Sequence, residues 1–213
     1  MTAKIHRANS LIGRQRAAGE SFGCAAKAIG DILPAMSLFI VTRGQWSMID
    51  AVLHCLDQVG PARLSIWTWT VAEYEVQVLT RLREDRRLTD GTLVIDAGAR
   101  NKNREIIREW KGTFGAESVR YVQNHAKIAT IETAGGVRLL LRGSANLNAN
   151  PRFENFDISE GGPEFDLVQA IEAELPILAD DCDGAQVYAA TKLSTAFSAD
   201  ELAVFKGVRV WAK

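Results

Sequence analysis

A chain of 213 residues, 47% hydrophobic and 24% charged, has the make-up of a one-domain globular protein with room for a short appendage. A formal net charge of −1 excludes a uniformly basic polyanion binder, and three cysteines, far apart and in no C-x-x-C pair, argue against a disulfide framework or a zinc site. No apolar run reaches the length of a membrane span, and no apolar stretch follows Lys4, Arg7, Arg14 and Arg16, so the expectation is a cytoplasmic protein without a membrane partner.

Residues 1–35 read as a basic N-terminal arm and one helix, capped by Ser21 and ending near Gly30 or Pro34. His6 reads as an exposed arm residue. The apolar run 37–42 predicts a buried strand, and Trp46, Ile49, Val52, Leu53 and Leu56 recur at helical spacing over 45–58. His54 lies in that helix among apolar neighbours and reads as structural. After the Gly60-Pro61 turn, 63–68 predicts a second strand. Thr70 to Glu73 has the pattern of a capping box opening a helix to about Glu84. Asp90-Gly91 reads as a turn into a strand over 92–96, and 101–114 as a helix. Three strand–helix units in succession predict an α/β domain with a largely parallel sheet.

The pattern then changes. Strands are expected over 118–122, 127–133 and 137–142, the last two joined by Ala134-Gly135-Gly136 as a hairpin. A short strand over 156–159 and a helix from Pro163 to about residue 179 follow. Residues 36–180 thus form the predicted domain. Residues 181–213 read as an extension packed on it, with a short helix capped by Ser198 and Glu201 and a last strand over 207–212.

Charge is unevenly spread. Arg81, Arg83, Arg86, Arg87, Arg100, Lys102, Arg104, Arg108 and Lys111 follow one another, whereas residues 153–191 hold no Lys or Arg. Such a chain can present one basic side to a polyanion. The same residues can also be solvated helix faces with local ion pairs, and for Arg81 to Arg87 that second reading is preferred.

The stretch from Tyr121 to Ser159, about a fifth of the chain, concentrates the chemistry. His125 and Lys127 are two apart, a spacing that puts strand side chains on one face. A neutral imidazole serves as nucleophile or acid/base near neutral pH, and a lysine beside it holds negative charge. The pair suits a phosphate ester. Gly143 closes the apolar run 137–141, where a missing side chain permits close approach to a ligand. Ser144 and Asn146 add neutral donors.

These residues, His125-Ala126-Lys127, four residues, Glu132, then Gly143-Ser144-Ala145-Asn146, resemble the HKD signature of the phospholipase D superfamily. The usual Asp is Glu132 here. Glu154 occupies the place of a carboxylate that nucleases of that family carry. The resemblance implies a phospholipase D-like α/β/α sandwich with a mixed central sheet and one HKD motif per chain. It implies His125 as the nucleophile forming a phosphohistidine, and Lys127, Ser144 and Asn146 as phosphate-binding groups. Glu154 would accept the ring N–H of His125, and Glu132 and Gly143 would be structural. No metal or other cofactor enters the scheme. Because H-x-K occurs once, two His125 residues must meet in a homodimer. The expected activity is a metal-independent phosphodiesterase, an endonuclease acting on DNA or RNA. A phospholipid phosphodiesterase and a nucleic-acid-binding module with weak turnover stay open as alternatives.

Overall fold

Apolar residues at alternate strand positions feed two separate cores, and that alternation explains the layered architecture. The computed structural model describes residues 4–9, 15–21, 24–148 and 151–193. β1 (Lys4–Asn9) and β2 (Gln15–Ser21) precede α1 (Ala25–Ile29). Then come β3 (Met36–Thr42), α2 (Met48–Val59), β4 (Ala62–Thr68), α3 (Glu73–Glu84), β5 (Leu88–Asp96) and α4 (Arg104–Phe114). β6 (Val119–Val122), β7 (Ile128–Thr133), β8 (Arg138–Gly143), β9 (Glu154–Glu160), α5 (Pro163–Glu174) and α6 (Gly184–Leu193) follow. The strands form one nine-stranded sheet in the order β1-β2-β3-β9-β8-β7-β4-β5-β6. β7, β9 and β1 run against the other six, so the sheet is mixed.

On β8, Leu139 and Leu141 face the larger core while Leu140 faces the other side. On β5, Leu93 and Ile95 join the larger core and Val94 the opposite one. Strands buried on both faces lose polar alternation and read as continuous apolar runs. The larger core packs α1 to α4, through Ile29, Val52, Leu79 and Trp110, against one face. On the other face, Phe165 and Val168 of α5 meet Leu140, Trp67 and Ile128, and Ala190 of α6 meets Val94 and Val122. The chain therefore forms the expected α/β/α sandwich with a mixed central sheet.

Several local expectations fail for identifiable reasons. The N-terminal arm forms β1 and β2, and β2 pairs in parallel with β3. Backbone pairing to a neighbour supplies what its weakly apolar sequence does not signal. Ser21 ends β2, and Cys24 stands at the N-cap of α1. Thr70 caps nothing: α3 starts after Ala72, and the Thr70 hydroxyl accepts from Asn103 at 3.3 Å. The reciprocal arrangement occurs at α2, where Asp50 accepts the Ser47 N–H at 2.7 Å and its hydroxyl at 2.8 Å. Asp90-Gly91 is no turn but part of β5, with the Phe114 ring packed where a Gly91 side chain would stand. α5 ends at Glu174 rather than near residue 179. The exposure of His6, the Ser198 cap and the strand over 207–212 lie outside the described residues. No described helix is long and apolar enough to cross a membrane.

Candidate active site

The motif sits on one rim of the sheet, where β3, β4, β5, β6 and β8 end and β7 and β9 begin. This is a common place for sites in α/β folds. The loop between β6 and β7 is held there by Asn124, which is buried. Its amide nitrogen donates to the carbonyl oxygens of Thr68 at 3.0 Å, Val94 at 3.3 Å and Ala126 at 3.3 Å. Its amide oxygen accepts from the Ala126 N–H at 2.9 Å, and its own N–H donates to Asp96 at 2.9 Å. One side chain thus ties the loop to the ends of β4 and β5. The loop leaves His125 exposed at the mouth and turns Lys127 inward.

Lys127 is 8% exposed. Its Nζ donates to the His125 carbonyl oxygen at 2.7 Å and lies 3.1 Å from His125 Nδ1. Burial pushes the ammonium below its ordinary pKa, and the nearby Glu154 carboxylate partly offsets that. Glu154 opens β9 and is 9% exposed. It accepts the Ser144 hydroxyl in a short hydrogen bond. Ser144 Oγ in turn accepts the Asn155 N–H at 3.0 Å, and the Ser144 N–H donates to Asn155 O at 3.1 Å. His125, Lys127, Ser144 and Glu154 are therefore brought together from three chain segments.

Two sequence expectations change in detail. Glu154 meets Ser144, while the ring nitrogen of His125 meets Lys127. Gly143 makes room for β9 rather than for a ligand, because a Cβ there would overlap the carbonyl oxygen of Asn155. Glu132 lies near the far end of β7, opposite Arg63 and Arg138, away from the rim. Asn146 is half-buried between the buried Ala145 and Leu147, and its Oδ1 accepts no hydrogen bond from the described residues. Leu147 accepts the Ile49 N–H at 3.2 Å, which ties this loop to the start of α2.

Side chains that the sequence reading passed over also reach the rim. Trp69, just past β4, is 48% exposed and its ring centroid lies 6.5 Å from that of His125. Phe153 is exposed, with the Arg43 guanidinium 5.6 Å over its ring. Asn124 adjoins His125 in sequence, and Trp69 and Phe153 flank strand ends, so their positions next to β4, β7 and β9 were the available signal. An open groove of about 400 Å³ leads away from Lys127 and Ser144, lined further by Phe39, Ile128, Arg142, Asn155 and Asp157.

The Arg81 to Arg87 part of the basic cluster is not brought to the site. Arg81 to Arg87 end α3 and precede β5, at the opposite rim. Arg83 donates to the carbonyls of Leu88 and Thr89, Arg87 pairs with Asp57, Arg108 with Glu105, and Lys111 with Asp180. Arg100 donates to Cys182 O at 2.8 Å. Pairing within the chain is thus the use that Arg83, Arg87, Arg100, Arg108 and Lys111 find. His54 is half-buried in α2 with Nε2 2.8 Å from Gly30 O, as a structural histidine would be. Among the described residues no three His, Cys, Asp or Glu side chains gather as they do around a metal ion.

No family model matches the chain, and no curated protein matches it. Among solved structures it is similar to a polyphosphate kinase from Porphyromonas gingivalis, at 15% identity and a TM-score of 0.46, over 71% of this chain. It spans only 27% of that kinase. It is also similar to a phospholipase D family member, Nuc from Salmonella typhimurium, at 20% identity and a TM-score of 0.40, over 64% of this chain and 90% of that one. The second belongs to the family that the motif resembles. With TM-scores below 0.5, neither likeness bears on the activity.

Proposed function

We propose that this chain is a phospholipase D-like phosphodiesterase that cleaves nucleic acid through a phosphohistidine on His125. The observation that carries the reading is the meeting of an exposed imidazole with a buried lysine, near a serine–carboxylate pair, where Lys127 and Ser144 line one groove. Lys127 cannot disperse its charge into water. With one carboxylate, Glu154, near it, such a cation has room for a second anion, and a phosphate supplies one.

In the free chain the ammonium of Lys127 occupies Nδ1 of His125. An imidazole that accepts at Nδ1 carries its neutral-state proton on Nε2, which blocks attack from that nitrogen. Phosphate entering the groove draws Lys127 Nζ toward its non-bridging oxygens and frees Nδ1 to take the proton. Nε2 then attacks phosphorus, and the P–O bond to the leaving group breaks. Lys127 and Ser144 hold the charge that develops. The Nδ1 proton stays on the imidazole, and Glu154 remains the carboxylate that holds Ser144 and lies near Lys127. A second imidazole must protonate the leaving oxygen and later activate water. The described chain offers none beside His125, so the reading requires a homodimer with two His125 residues in one site.

The test is cleavage of plasmid DNA, RNA and a chromogenic phosphodiester in EDTA, beside His125→Ala, with mass in solution measured on the same samples. EDTA-resistant cleavage by a dimer, lost in His125→Ala, is expected. Cleavage that EDTA abolishes, or activity in a monomer, overturns the mechanism. Cleavage of phospholipid alone overturns the substrate.

A further inference from the structure

The groove beside the motif is built differently from the rest of that sheet face. Four of its side chains form a row of directly paired residues: Phe39 on β3 lies opposite Asp157, Asp157 opposite Arg142, and Arg142 opposite Ile128. With strands about 4.8 Å apart, the row spans roughly 14 Å. Position parity puts it on the face that α5 covers. α5 packs on β8 and β7 through Phe165 and Val168, and leaves the β3 and β9 end of the row open. Phe39 is 43% exposed there, in the middle of a strand whose other positions are buried or half-buried. An exposed aromatic ring lining a groove is a surface that a flat group of a ligand can cover.

The remaining lining says what that is. Arg142 carries a cation and its ion pair with Asp157 is long, at 3.4 Å. Asn155 and Asp157 supply an amide and a carboxylate, which match the donors and acceptors on a base edge. The groove opens on Lys127 and Ser144, which are proposed to hold the scissile phosphate. About 400 Å³ accommodates one nucleotide unit.

We infer that this groove is a subsite for the nucleotide next to the scissile phosphate, with its base stacked on Phe39 and its outer phosphate near Arg142. It rests on the nuclease reading above and narrows the substrate to single-stranded nucleic acid. A base inside a duplex cannot lay its face on a ring set in a sheet, so it must first leave the stack.

The test uses the full-length chain with a fluorescein-labelled oligothymidylate and the matching duplex, read by anisotropy and by cleavage. Phe39→Ala is expected to weaken oligothymidylate binding between about 5-fold and 150-fold, the range of a lost base–aromatic stack. Phe39→Trp restores it, and the duplex binds more weakly than the single strand. Equal affinities for wild type and Phe39→Ala, or tighter binding of the duplex, overturn the subsite. A fall in solution mass on Phe39→Ala also overturns it, because the face is then a subunit interface. Phe39-dependent binding without cleavage of any diester keeps the subsite and removes the nuclease reading. Cleavage of bis(p-nitrophenyl) phosphate and oligothymidylate that ignores Phe39 does the reverse.

Discussion

Glu154 and Glu172 are both buried carboxylates that accept a serine hydroxyl and lie beside a cation, one on the rim and one beneath α5. Glu172 is 4% exposed and accepts from Arg63 at 3.0 Å, from Trp67 at 3.0 Å and from Ser65. Its two oxygens are filled by three donors of the sheet, and a helix closes over them. Glu154 accepts one side chain, Ser144, and its cation Lys127 is turned to His125 at the mouth of a groove. A carboxylate saturated by fixed donors holds two layers together. A carboxylate with spare acceptor capacity beside a desolvated cation is prepared to exchange partners.

The comparison predicts opposite consequences for removing each group. Glu172→Ala leaves the Ser65 hydroxyl and the Trp67 indole N–H without their acceptor under α5, while Arg63 keeps Gln169, and each orphaned donor costs about 1–3 kcal/mol. The midpoint of chemical denaturation is expected to fall accordingly, while folded protein at low temperature keeps its cleavage rate. Glu154→Gln is expected to lower turnover with a far smaller change in the midpoint. Equal stability losses for the two would erase the distinction.

Next in size is Lys127. Lys127→Met is expected to lower kcat/KM by about 10²–10³, the loss that follows removal of one charge-stabilising donor. The pH dependence adds a second readout. Burial lowers the Lys127 pKa in the folded chain, so between that value and the ordinary one, about 10.4, the unfolded chain binds the extra proton. Wild-type stability therefore rises with pH across that window, relative to Lys127→Met. Parallel pH profiles for the two proteins would show that Lys127 is not desolvated.

The paired serines give a smaller and cleaner contrast. Ser65→Ala deletes a buried donor to Glu172, and its expected cost is about 1–2 kcal/mol in stability with no change in activity. Ser144 is exposed, so Ser144→Ala is expected to spare the denaturation midpoint and reduce cleavage. Activity loss in Ser65→Ala would place the Glu172 cluster in the catalytic path.

These two clusters also mark the limit of what the sequence made legible. His125, Lys127, Ser144 and Glu154 fall within thirty positions, so short spacings and the resemblance to one signature grouped them. The succession of strands from β3 to β9 along the chain followed from apolar runs and turns, whereas their order in the sheet, the β7–β8 hairpin apart, did not. The Glu172 cluster joins α5 to β4 across 107 positions from Ser65, and no local pattern links them. Arg63, Ser65 and Trp67 do alternate on β4, which showed that one face of a central strand was polar but not what met it. Phe39 was hidden in an apolar run whose burial depends on where α5 stops. β1 and β2 carry weak patterns because their pairing is largely a backbone matter, and Asn124 looks like any loop amide until three carbonyls surround it.

A third buried carboxylate completes the comparison with the smallest expected effect. Glu75 of α3 is 5% exposed and its Oε2 has no hydrogen-bond partner among the described residues. Burial pushes its carboxyl above the ordinary value; backbone hydrogen bonds around residues 72 and 75 partly offset this, and Asp50 adds to it. A raised folded-state pKa means that the folded chain binds the proton more tightly than the unfolded one. Its contribution is then favourable below the ordinary Glu value, about 4.3, and is lost as pH rises through the folded value. Glu75→Gln removes the charge and keeps the shape. At neutral pH the melting temperature is expected to rise by about 2–4 °C, the shift that about 1 kcal/mol gives in a domain of this size. Near pH 4, where the wild-type group is already neutral, the gain should vanish. A gain that persists there would trace to packing rather than charge, and a loss at neutral pH would mean that the Glu75 carboxylate is held ionised by a cation or donor.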